Sequence, residues 1–142
     1  MKKAPLFLSC LLLTGCHRGP QPIRAGVDVA VCGMIIADPH YAAEAVGSRQ
    51  VRKYDSLDGM RQDRTRNARA DLYVTDFDSG RLLAASRATV LESSRIHAPM
   101  GGHTIAFHSR DRGLVFVHQH HVLAYRLLPF ADWYRQPTGA EK

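Results

Sequence analysis

Three groups of residues in this 142-residue chain have the types and spacing to do chemistry. The first is Cys32-Gly33-Met34, a thiol and a thioether two residues apart with a glycine between them. On a strand the two sulfur side chains would share a face, and Gly33 would leave the backbone open to close approach. The second is His97-Ala98-Pro99-Met100-Gly101-Gly102-His103, a Pro- and Gly-shaped loop holding one thioether and two imidazoles. The third is His118, His120 and His121, near the end of a predicted helix. Thiolate and thioether donors are soft, and an imidazole can complete a three-coordinate site for Cu(I). Such a set suits neither Mg nor Ca, and structural Zn takes four Cys or His ligands.

Each group also has a plainer reading. Met34 precedes Ile35 and Ile36, which favours core packing over ligation. Met100 lies in a loop, where a core role is less expected. His97 and His103 could each be surface histidines. The spacing of His118, His120 and His121 reads as a helix end, with the imidazoles beside the last carbonyls. Hydrolytic signatures are missing: there is no G-x-S-x-G and no H-E-x-x-H. The carboxylate pairs Asp55/Asp58 and Asp76/Asp78 fall in turns and caps and are expected to be structural.

The cysteine count gives Cys32 its weight. The chain opens with Met1-Lys2-Lys3 and an apolar run from Ala4 to Leu13. That run has the length of a signal h-region and is short for a membrane span. It ends in Leu13-Thr14-Gly15-Cys16, which resembles the bacterial lipobox: an aliphatic residue and two small ones before a lipid-accepting cysteine. Residues 1–15 are therefore expected to be a signal peptide, and residues 16–26 a lipidated tether rich in polar residues, Gly and Pro. Cys10 would leave with the leader and Cys16 would become a thioether. Cys32 would then be the only thiol, unusual for an exported protein unless it is buried, reactive or a ligand. The formal net charge of +6 falls by two on loss of Lys2 and Lys3. The remaining basic excess is scattered. Its densest stretch, Arg61 to Arg69, is interleaved with Asp63 and Asn67 and reads as a solvated helix face, with no nucleic-acid partner.

The elements that must position these residues follow from patterning. Val27 to Ala37 is expected as strand or extended chain, Ala42–Val46 and Val51–Tyr54 as a hairpin across Gly47-Ser48, and a helix capped by Asp55 or Ser56 with Leu57 and Met60 on one face. Ala70–Val74 is a strand and Asp78-Ser79-Gly80 a turn. In the second half, Leu82 to Leu91 leans to strand, and Thr104–Phe107 is a strand. Ser109 caps a helix to about His118, and Val122–Leu128 is the last strand. The order strand, strand, helix, strand occurs twice. An α+β protein with two ββαβ units packed as one small domain over 27–130 is expected, split near 79/80, with a flexible tail over 131–142.

The lipobox, CGMIIAD (Cys32–Asp38), YDSLDGM (Tyr54–Met60), ADLYVTDFDSG (Ala70–Gly80) and APMGGHTIAFHSRD (Ala98–Asp111), in that order, resemble the NosL family of nitrous-oxide reductase accessory lipoproteins. The resemblance covers nearly all of the chain after the leader. It implies a fold related to organomercurial lyase and a monomeric, non-enzymatic, periplasm-facing lipoprotein that binds Cu(I). It implies delivery of copper towards nitrous-oxide reductase with the NosDFY transporter complex. The membrane is expected to be the outer one, since no Asp follows Cys16. By position, Cys32 and Met100 correspond to the copper ligands. A histidine is expected as third ligand, with His97 preferred to His103, and no motif fixes which. The chain departs from the family at Val29 and Gly59, where many relatives have cysteine, and so offers fewer thiols. A copper carrier for another cuproenzyme, a thiol enzyme of the lyase type, and a lipoprotein that binds only protein are the alternatives.

Overall fold

The computed structural model describes residues 19–137. The signal-peptide and Cys16 expectations lie outside these residues. The elements in chain order are β1 (Ala43–Val46), β2 (Val51–Tyr54), α1 (Leu57–Gln62), β3 (Asp71–Thr75), β4 (Leu82–Ala84), β5 (Thr89–Glu92), β6 (Thr104–Phe107), α2 (Arg110–Gln119), β7 (Arg126–Pro129) and α3 (Phe130–Arg135). They make a small α+β domain with two antiparallel sheets, ordered β2-β1-β3-β4 and β6-β5-β7. In each sheet the first strand of the half is central, and the strands before and after the helix flank it.

Local chemistry sets the boundaries. Ser56 caps α1, its Oγ accepting from the Gly59 amide at 3.1 Å, and Ser109 caps α2 by accepting from Arg112 at 3.3 Å. The α1 face expected from spacing is the one that packs, with Leu57 and Met60 fully buried. The main core spans both sheets. It joins Ala43, Ala45, Leu57, Met60 and Val74 to Val90, Ala106, Phe130 and Trp133. A second cluster sits under α2, around Leu91, Ile105, Phe107 and Val117. One parallel bridge, Asp76 with Ala106, ties the two sheets together, the Phe77 amide donating to the Ala106 carbonyl at 2.8 Å.

Three expectations need correction. The segment over 131–142 is not a free tail as far as it is described: α3 buries Trp133 completely, and the Arg61 guanidinium lies 4.3 Å over its ring. The aromatic residues Phe130, Trp133 and Tyr134 are the signal that it docks. Residues 21–26, expected as part of the tether, are likewise held to the domain. The Gln21 amide donates to Glu44 Oε1 at 2.8 Å, the Gly26 amide donates to the Ile36 carbonyl at 2.9 Å, and Ile23 packs on Ala30, Ile36 and Ala42. β1 is buried along both faces, and desolvation holds the Glu44 carboxyl above its usual range against the lowering effect of the Gln21 amide. The last strand is β7, Arg126–Pro129, so Val122 to Tyr125 belong to the connection before it. Among the described residues no helix is long and apolar enough to cross a membrane.

Candidate metal centre

Val27 to Ala37 is a hairpin folded around Cys32 and not one strand. Val29 bridges Ile35, and the Ala30 amide donates to the Met34 carbonyl at 2.8 Å. The Gly33 amide donates back to the Ala30 carbonyl at 2.9 Å. Val31, Cys32 and Gly33 are thus a three-residue loop whose third position is left-handed, Gly33 having φ +88°. That loop type puts glycine there because other residues are strained. The consequence is that Cys32 and Met34 lie on either side of a turn. Cys32 is exposed at the tip, its Sγ 3.9 Å from Asp55 Oδ2. Met34 is also exposed, against the core packing favoured for it. The hairpin is fixed to β2 by the Val31 amide, which donates to the Lys53 carbonyl at 2.9 Å, and by the Lys53–Asp28 ion pair at 2.7 Å.

Met100 is presented by a second tight turn. The Gly102 amide donates to the Pro99 carbonyl at 3.2 Å, and the Ala98 amide donates to the Gly102 carbonyl at 3.0 Å. The two central residues are both left-handed: Met100 at φ 59°, ψ 26°, and Gly101 at φ 72°. Such a turn is natural for Asn-Gly, and a methionine in its first central position carries backbone strain. The side chain is 67% exposed, so packing does not repay that strain. Strain of this kind gathers at functional sites.

The two turns face each other across one cavity of about 410 Å³. Cys32, Met100 and His103 all line it, together with Asp55, Asp58, Asp63, Glu92 and Arg61. Three of the four carboxylates are paired with arginines, Asp58 with Arg61, Asp63 with Arg66 and Glu92 with Arg126, and the fourth, Asp55, lies beside the Cys32 thiol, where its charge favours a cation. Asp58 fastens the Met100 loop to α1: its Oδ2 accepts from the His103 amide at 3.0 Å and from Thr104 Oγ1 at 2.7 Å, and its Oδ1 from Arg61 at 3.2 Å. Gly102 permits the approach, since a Cβ there would lie 2.6 Å from Asp58 Oδ2. His103 Nδ1 is 2.9 Å from the Ile96 carbonyl. A carbonyl only accepts, so Nδ1 donates, and Nε2 is the ring nitrogen left for a metal. This is the orientation that metal-binding histidines take.

The other sequence candidates lie elsewhere. His97 opens onto a separate cavity with Tyr41, Phe77, Phe116 and His120, and does not line the one shared by Cys32 and Met100. His120 caps the end of α2 and stacks on Phe116 at 4.2 Å, and His121 follows with φ 50°, in keeping with a helix terminus. Asp76 and Asp78, expected to be structural, lie between β3 and β4 with ligand atoms within 4.8 Å of one another and of His108. Asp76 accepts from Ser79 Oγ and the His108 amide, which outweigh burial and hold its carboxyl below the usual range. Asp78 is paired with Arg112 at 2.6 Å. Asp55 and Asp58 were assigned the same purely structural part, yet both line the cavity. Their signal was the Ser56-Leu57-Asp58-Gly59 cap, which aims the first turn of α1 at the second sheet.

The class that fold and site define is a small α+β domain of two antiparallel sheets, with sulfur and imidazole groups gathered at an acidic cavity. A solved structure has this fold: the copper chaperone NosL from Shewanella denitrificans. The match has a TM-score of 0.65 at 18% identity and covers 80% of this chain and 94% of that one. At this identity the likeness is one of fold. No family model and no curated protein matches the chain.

Proposed function

We propose that this chain is a copper chaperone that carries Cu(I) on Cys32, Met100 and His103. The observation that carries the reading is the convergence of those three side chains, from residues up to 71 positions apart, on one carboxylate-lined cavity. Thiolate, thioether and imidazole form a soft, low-number donor set matched to Cu(I). His103 replaces His97 as the preferred histidine, because it lines the same cavity as Cys32 and Met100, and His97 lines another. Cys32 and Met100 are exposed at the rim, where a recipient's ligands can reach the cargo. Exposed Val27, Val29, Val31 and Ile35 on the Cys32 hairpin give that recipient an apolar surface to dock on.

By the same reading the chain is a lipoprotein anchored through Cys16, facing the periplasm, preferably from the outer membrane. It works as a monomer with the NosDFY complex to supply nitrous-oxide reductase. The lipobox supports the anchor, and the family resemblance supports the recipient. The two halves, each strand-strand-helix-strand with the first strand central, fit an ancestral ββαβ duplication related to organomercurial lyase.

Anaerobic Cu(I) titration against a chromophoric chelator tests the reading. One equivalent is expected to bind. Cys32→Ser and Met100→Ala are each expected to weaken binding beyond the roughly 10–100-fold cost of losing an outer-sphere partner. Unchanged affinity in both variants would remove the site.

A further inference from the structure

Cys32 is held by the base of its hairpin and hardly at the tip. Among the described residues its side chain makes one polar contact, the 3.9 Å approach to Asp55. Its place opposite Met100 therefore depends on how the hairpin is seated on the first sheet. β1 and β2 pair with Glu44 opposite Lys53, and directly paired residues share a face of the sheet. Ala43 and Ala45 supply the main core, so Glu44 and Lys53 belong to the other face. The chain from Gln21 to Ile36 covers that face. The Gln21 amide bonds Glu44, and Ile23 and Ile36 pack on Ala42.

Lys53 is the centre of this seat. Its Nζ pairs with Asp28 Oδ2 at 2.7 Å and donates to the Pro22 carbonyl at 3.3 Å. Its own carbonyl accepts from the Val31 amide at 2.9 Å. One residue of β2 thus grips the chain before the hairpin, the hairpin's first arm, and the neighbour of Cys32. Asp28 carries the grip to the second arm, its carbonyl accepting from the Ile36 amide at 2.9 Å. The Lys53 and Asp28 side chains are only 13% and 9% exposed, so removing either charge leaves the other poorly compensated. Lys53 does not itself line the Cys32 cavity. A metal site needs its donors held to within about 0.5 Å by neighbours that are themselves locked in place.

We propose that Lys53 is a positioning residue of the copper site. Through Asp28 and Val31 it sets the Cys32 hairpin where one ion can bind both Cys32 and Met100. The inference rests on the reading of those two residues as copper ligands. It is separable from a plain charge effect. By charge alone, removing the Lys53 cation would strengthen cation binding, and removing the Asp28 anion would weaken it. As a clamp, both removals weaken it. Because the two act through one bond, the second removal adds little to the first.

The test is anaerobic Cu(I) titration of the full chain in neutral detergent micelles, with amide exchange on the metal-free proteins. The variants are Lys53→Met, Asp28→Asn, the two combined, and Lys53→Arg. In Lys53→Met the Val31 amide should exchange about tenfold faster while the amides within the two sheets keep their rates. Cu(I) affinity should fall about tenfold in Lys53→Met and Asp28→Asn alike, no further in the double variant, and far less in Lys53→Arg. If Lys53→Met does not fold, Lys53→Gln takes its place with the same expectations. Unchanged or tighter Cu(I) binding by the lysine variant overturns the proposal. So do additive losses in the double variant, an equal loss in Lys53→Arg, or unchanged exchange at Val31. A wild type that takes up no Cu(I) overturns the copper reading and this inference together, whereas a wild type that binds while the variants match it overturns this inference alone.

Discussion

Met100 should trade stability for its side chain, and the trade can be measured. Its backbone sits at φ 59°, ψ 26°, where a non-glycine residue pays roughly 1–2 kcal/mol. With the side chain 67% exposed, truncation forfeits only about 0.5 kcal/mol of burial. Met100→Ala keeps the strain and loses that burial. Met100→Gly loses the same burial and relieves the strain, but gives back about 0.5–1 kcal/mol as chain entropy in the unfolded state. The glycine variant should therefore be more stable than the alanine variant by about 0.5–1 kcal/mol, or roughly 2–4 °C in Tm for a domain of this size. Urea and thermal unfolding of the metal-free proteins, run side by side, would resolve this. Both variants should lose Cu(I) affinity equally. If alanine proves as stable as glycine, the turn is not strained by methionine, and strain is no argument for function there.

Three further outcomes are expected. Asp28 has its carboxyl lowered to about 2, chiefly by the hydrogen bond from Lys53. A lowered carboxylate stabilises the fold above its unfolded value and loses that contribution as pH falls through its folded value. Asp28→Asn should then cost about 1–2 kcal/mol at neutral pH and little at pH 2 in acid titrations of unfolding. Gly102→Ala, whose Cβ would meet Asp58 at 2.6 Å, should free the Met100 loop. The expected readout is faster amide exchange at His103, with the two sheets intact. Trp133→Ala should destabilise by about 3–5 kcal/mol in urea unfolding.

What the sequence made legible and what it hid divide along physical lines. Short-range signals read well: the Ser56 and Ser109 caps, the Gly47-Ser48 turn, and Thr104–Phe107 as a strand. Cys32 and Met100 stood out because soft donors in Gly-rich segments have few structural uses. The choice between His97 and His103 could not be read, because it depends on which side of a turn each imidazole leaves. The five residues between them send them to different cavities. The apolar flanks of Cys32-Gly33-Met34 imitate a strand or extended chain, while the left-handed backbone of Gly33 folds the segment into a hairpin. The acidic floor was hidden for another reason. Asp55 and Asp58 look like ordinary cap residues, and only the packing of α1 against the second sheet turns them into a cavity wall.

The central claim is that three particular side chains hold one copper ion. X-ray absorption at the copper edge of the Cu(I)-loaded chain tests it most directly. The account predicts two sulfur scatterers and one imidazole, with one sulfur lost in Met100→Ala, the imidazole lost in His103→Ala, and no change in His97→Ala. A spectrum that loses its imidazole in His97→Ala and keeps it in His103→Ala would contradict the site assigned here. So would one whose sulfur shell is indifferent to Met100.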